Sequence, residues 1–160
     1  MTYGIQTAYE QLYYKRTSHT SQQTGSSTTG GSIIILGSEA SYTPSSSSSK
    51  VVYEINFYGE RISWIHNVSF LLEHYSSGAW SEINTKNARS SAQSGSAAQE
   101  MRNNFHLRWI IPTWTGSKDL RLKLLTRATN YHVHLHKLTT WDGSTSSTDF
   151  SDTSLIIYSV

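Results

Sequence analysis

Three of the seven histidines stand at alternate positions, His132, His134 and His136, in the stretch Tyr131-His-Val-His-Leu-His-Lys-Leu138. Alternation is the side-chain period of an extended strand. The three imidazoles are therefore predicted to share one face, with Tyr131, Val133 and Leu135 on the other. Imidazoles so spaced can converge on one transition metal, within a chain or across a symmetry axis, because neutral ring nitrogens are good ligands. No cysteine is present to add a thiolate, and Asp142 is the nearby carboxylate. The plainer alternative, and the preferred one, is a wet strand face on which histidine is an ordinary polar residue. Asp142 belongs to Trp141-Asp-Gly143, where Asp-Gly favours a tight turn. Trp141 either packs on the sheet there or is presented for a sugar to stack on, and packing is the reading preferred.

Catalysis finds little support. Serine is abundant, but no Gly-x-Ser-x-Gly elbow occurs, and Ser94-Gly-Ser96 lies in a small-residue stretch with no strand leading to it. The carboxylates Glu54, Glu60, Glu73 and Glu82 are scattered, so no acid–base pair can be read from spacing. The protein is expected not to be an enzyme. With a net charge of +2 and both signs interspersed, there is no basic footprint for nucleic acid. No transmembrane span is read. No charged start followed by an apolar run marks a signal peptide, so synthesis in a cytoplasm is expected.

The elements that must hold these residues read as strands. Val51, Tyr53, Ile55 and Phe57 alternate with Val52, Glu54, Asn56 and Tyr58, which predicts a half-buried strand ended by Gly59. Residues 62–74 repeat the pattern, and a turn at Ser76-Ser-Gly78 leads to a short strand over 79–83. A small-residue loop over 84–99 follows. Phe105, Leu107, Trp109 and Ile111 predict another strand, stopped at Pro112. Residues 120–128 and 131–138 are expected to form a hairpin about Thr129-Asn130, and Leu155-Ile-Ile-Tyr158 to open a closing strand. Trp64, Trp80, Trp109 and Trp114 are read as core or interface anchors. Residues 1–31 divide into a Tyr-rich start and a Ser/Thr/Gly-rich run, either an arm or a first strand. Its Tyr9, Tyr13 and Tyr14 are candidates to dock on another protein. Many short strands, turn signals between them, no long helix and no internal repeat together predict an all-β sandwich or barrel.

Two groups of residues carry a resemblance. One is Tyr42-Thr-Pro44, a serine run, then Lys50-Val-Val-Tyr-Glu-Ile-Asn-Phe57; the other is Leu120-Arg-Leu-Lys123, the Tyr/His strand, Trp141-Asp-Gly143 and Leu155-Ile-Ile-Tyr158. Their order over residues 32–160 resembles the trimeric jelly-roll heads of the complement-globular-head and tumour-necrosis-factor type found in virus and bacteriophage particles as spikes, tail-fibre tips and decoration proteins. The resemblance implies an antiparallel jelly-roll domain over 32–160, a homotrimer and a place in the virion. It also implies attachment to other virion proteins through residues 1–31, or to a host-surface glycan, and no enzymatic activity. His132-Val-His134-Leu-His136 resembles the His-x-His strands that gather ring nitrogens around a metal on the axis of phage fibres. The other function considered is a carbohydrate-binding β-sandwich module.

Overall fold

The computed structural model describes residues 10–27, 32–61, 68–88, 101–126, 131–141 and 143–160, and every regular element among them is a strand. In chain order these are β1 (Glu10–Thr17), β2 (Gln23–Ser27), β3 (Ser32–Ile34), β4 (Ala40–Tyr42), β5 (Lys50–Arg61), β6 (Val68–Ser76), β7 (Ala79–Ala88), β8 (Met101–Pro112), β9 (Lys118–Thr126), β10 (Tyr131–Leu135), β11 (Lys137–Trp141), β12 (Ser146–Phe150) and β13 (Thr153–Ser159). All pairings are antiparallel. They form two sheets that pack face to face, the all-β sandwich that the alternation predicts and of the jelly-roll kind that the resemblance implies, with β11 and β12 as a separate hairpin.

The larger sheet is hung on β5. One edge of β5 pairs along its whole length with β8, from Lys50↔Pro112 to Arg61↔Met101. Its other edge is shared by two shorter strands laid end to end. β13 takes Val51 to Asn56 and β10 takes Gly59 to Arg61, which leaves a seam at Phe57 and Tyr58. The next layer out repeats the division, β1 lying on β13 and β2 on β10. Glu10–Thr17 is thus a sheet strand. Tyr3 and Tyr9 lie outside the described residues. The smaller sheet has β9 at its centre, with β3 and β4 end to end along one edge and β6, then β7, on the other.

The core is what the period of two buries between the sheets. Val51, Tyr53, Ile55, Phe57, Leu155 and Ile157 come from the larger sheet; Phe70, Leu72, Leu120, Leu122 and Leu124 come from the smaller. Burying each such side chain contributes about 1.5–3 kcal/mol. Tyr53 and Ser38 carry polar groups into the core and are paired there. The Tyr53 hydroxyl donates to the Ser38 carbonyl (2.6 Å), and the Leu122 N–H donates to Ser38 Oγ (3.1 Å).

Several boundaries differ from those predicted, each for a local reason. β5 does not stop at Gly59 but runs on to Arg61. A Cβ at Gly59 would lie 2.8 Å from the Phe105 ring and 3.3 Å from Leu135, so glycine is there to let a ring and a neighbouring strand approach. β7 extends to Ala88, into the stretch predicted as a loop, because its backbone pairs with β6 whatever its small side chains prefer. The strand predicted over 131–138 is two strands in different sheets, divided at His136. The predicted strand residues 62–67, including Trp64, and most of the loop over 84–99 lie outside the described residues.

Candidate functional site

Of the three alternating histidines, only two belong to β10. The chain leaves the larger sheet at His136, whose φ of 68° is left-handed, a region that few non-glycine residues adopt. Its backbone is held on both sides: the His136 N–H donates to the Tyr58 carbonyl (2.8 Å), and its carbonyl accepts from the Ser151 N–H (2.8 Å). The reversal carries its side chain out of the alternation and into the seam of the larger sheet, where it is fully buried. The expectation that His132, His134 and His136 share one exposed face is therefore corrected at His136. His134 is half-buried on β10, opposite Thr24 and Glu60 in register. The side chain of His132 lies outside the described residues.

In the seam, His136 meets a histidine the sequence did not connect to it. His19, in the link between β1 and β2, stacks on it with ring centroids 3.8 Å apart and planes 13° from parallel. Thr153, fully buried, places its Oγ1 2.9 Å from His19 Nε2 and 3.3 Å from His136 Nδ1. One hydroxyl proton can be donated to only one ring, so the other ring must donate to the oxygen. Two neutral imidazoles satisfy that condition. Two imidazolium ions would need Thr153 to accept twice and would repel each other at van der Waals distance. Nothing described bonds to His136 Nε2, which is buried, and the Phe57 ring stands steeply to the imidazole with centroids 6.5 Å apart. Burial, with the second ring adding to it, holds the His136 pKa down to about 4. Burial also lowers that of His19, opposed by Asp152. Asp152 in turn accepts from Arg16 Nε at 2.6 Å. The arrangement is a neutral, stacked closure of the seam. Among the described residues no three His, Cys, Asp or Glu side chains stand close enough to hold a metal ion.

The remaining candidates are dispersed. Tyr13 and Tyr14 pair with Ile157 and Ile156 of β13 and so point to opposite faces. Tyr13 packs on the core, whereas Tyr14 is exposed. The backbone of Trp141 pairs with Ser146 at the end of β11, but its side chain, Asp142 and Tyr9 lie outside the described residues. Trp109 is in the core and Trp114 packs against it. Trp80 is not a core residue: it lies half-buried on the outer face of the smaller sheet with the Arg121 guanidinium 3.9 Å over its ring.

Alternation did not reveal Glu73. It lies on the outward side of β6, where a carboxylate should be wet, and is only 4% exposed. Arg121 Nε donates to it at 2.8 Å, and the Lys123 ammonium donates to its other oxygen. Burial by itself would push the Glu73 carboxyl up, but the two cations together hold it below its ordinary range.

The outer face of the larger sheet carries an apolar patch. Ile110 (61% exposed) on β8 and Leu12 (63%) and Tyr14 (59%) on β1 are its exposed members, separated in register by Val52 and Tyr158, which are buried. Polar groups flank it: Glu54 accepts from His106 at 2.6 Å and lies 3.6 Å from Arg108.

No protein-family model matches the chain, and no curated protein does. Among solved structures, the fold is similar to a chain in the structure of infectious bursal disease virus, Gt strain. That similarity has a TM-score of 0.51 at 10% identity and covers 94% of this chain. A chain in the structure of the Gx strain of the same virus gives a TM-score of 0.44 at 12% identity, over 93% of this chain and 36% of that one. This chain spans 38% of the Gt-strain chain. The likeness is to a viral β-rich fold, and at such identity it is a likeness of fold alone.

Proposed function

We propose that the protein is a non-enzymatic structural component of a virus particle, acting by self-association and attachment. The observation that carries this reading is the fold, whose described neighbour belongs to a virus and matches it over 94% of its length. The exposed patch of Leu12, Tyr14 and Ile110 supports self-association, since covering it with further copies removes apolar area from water. The assembly is a homotrimer with the larger sheets turned towards the threefold axis, as in jelly-roll heads of the complement-globular-head type. Residues 1–31, through Tyr9, and the turn at Trp141 and Asp142 are the attachment surfaces to other virion proteins or to a host glycan. If a transition metal takes part, His132 and His134 of several copies hold it, because His136 is spent in the seam.

Native mass spectrometry at micromolar concentration tests the assembly: a trimer is expected, and Ile110→Ser with Tyr14→Ser should shift it to monomer. A monomeric wild-type chain would overturn it. Peptides of this chain are expected in gradient-purified particles, and their absence would remove the virion role. Metal analysis of protein purified without affinity resin decides the metal, for which one ion per three chains is the content expected of a shared axial site.

A further inference from the structure

Outside the seam and the apolar patch, the described residues form a cleft of about 400 Å3 beside the outer face of the smaller sheet, lined by Tyr13, Glu39, Ser41, Trp80 and Asp119 over a floor of Ala40 and Leu120. Strand register places these groups together. Ser41 opposes Asp119 across β4 and β9, and Trp80 opposes Tyr75 across β7 and β6. β6 also pairs with β9, up to His74↔Leu120, so the two pairs lie in neighbouring positions across one face. We propose that this cleft binds a neutral saccharide, with a sugar ring stacked on Trp80 and vicinal hydroxyls donating to Asp119 and Glu39. The proposal goes beyond assembly and does not depend on it, since a single chain carries the whole cleft.

The stacking surface is fixed in advance. Arg121 lies over one side of the Trp80 indole at 3.9 Å and is itself held on Glu73 at 2.8 Å, while the Tyr75 ring leans on it at 5.5 Å. An aromatic plane held before binding costs little ordering when a ligand arrives. Ser41 Oγ donates to Asp119 Oδ1, which orients the carboxylate and leaves Oδ2 to accept from outside. The exposed Glu39 supplies a second acceptor.

The same groups select among ligands. Two carboxylates disfavour sialylated, sulfated or phosphorylated ligands, and no cationic side chain lines the cleft to offset them. Lys15 is near, but it donates to the backbone carbonyl of Glu39 (3.2 Å) without lining the cleft. A cationic ligand would seek the π-cloud of Trp80, which Arg121 already uses. A neutral sugar needs what remains: an apolar surface for its C–H face and acceptors for its hydroxyls.

A glycan array with neutral, sialylated and sulfated oligosaccharides, together with a trimethyl-lysine peptide as a cationic probe, tests this with the full chain. Capture of neutral glycans is expected, falling at least about tenfold in Trp80→Ala and in Asp119→Asn, and staying within about threefold in Trp80→Phe. Asp119 is exposed and the change to Asn is isosteric, so that variant reports binding even where loss of the indole harms folding. The proposal is overturned if no neutral glycan is captured, if only anionic glycans or the cationic peptide are, or if capture survives both Trp80→Ala and Asp119→Asn. Capture that survives both but fails in Trp141→Ala would place the sugar at the β11–β12 turn instead.

Discussion

Glu73 and His136 are both buried ionisable groups, and the protein treats them in opposite ways. Glu73 keeps its charge, because Arg121 and Lys123 each reach one of its oxygens. His136 gives its charge up: its neighbours are a second imidazole, a hydroxyl and a phenyl ring, none of which carries the negative charge that would hold a cation there. One site balances charge on the outer face of a sheet; the other removes charge from a joint between strands. Buried ionisable groups survive by one route or the other, and the neighbours decide which.

The largest test of that contrast is Glu73→Gln, which leaves two partly buried cations without their counter-ion. It should lower stability at pH 7 by about 2–3 kcal/mol in urea denaturation. A loss near zero would mean that the triad is a surface pair in energetic terms.

Next comes acid. Above pH 6.5, the ordinary histidine value, the His136 ring is neutral both folded and unfolded and contributes no pH dependence. Below it the unfolded ring takes up a proton that the folded ring refuses until about pH 4, so stability falls across that window and then levels. The loss should be on the order of 2 kcal/mol, seen as the difference between the pH–stability curves of the wild type and His136→Asn, a residue that tolerates a left-handed backbone. Glu73 has the opposite background. Its carboxyl is depressed below 4.5, so its contribution is complete above that pH and lost only as pH falls through the folded value.

The smallest effect is expected from His19→Phe, which keeps a ring in the stack but removes the second imidazole. The His136 pKa should rise modestly, and the acid window should narrow from its lower end. An unchanged curve would assign the whole shift to burial.

Much of this architecture was legible in the sequence because alternation reports burial directly. Val51 to Phe57, Leu120 to Leu124 and Leu155 to Ile157 all sit where their period puts them. What stayed hidden depends on residues far apart in the chain. Gly59 looked like a strand end and is a clearance for Phe105. His136 looked like the third member of a row, and only the seam between β10 and β13 explains why the backbone turns there. Glu73 read only as one of several scattered carboxylates, because its cations lie on β9, 48 and 50 positions away. The cleft was missed for the same reason: Ser41, Trp80 and Asp119 come from three strands and share no local signature.

The end-to-end strands of the larger sheet also bear on how the molecule is made. β1 finds its partner only in β13, and Arg16 reaches Asp152 across 136 positions. A sheet that joins such distant segments must close a very long loop before its pairing is rewarded, which makes folding slow. Until β13 docks, one edge of β5 and the underside of the core lie open, and newly made chains in that state can pair with one another. Correct folding then becomes a matter of timing, since the larger sheet is complete only once β13 has docked.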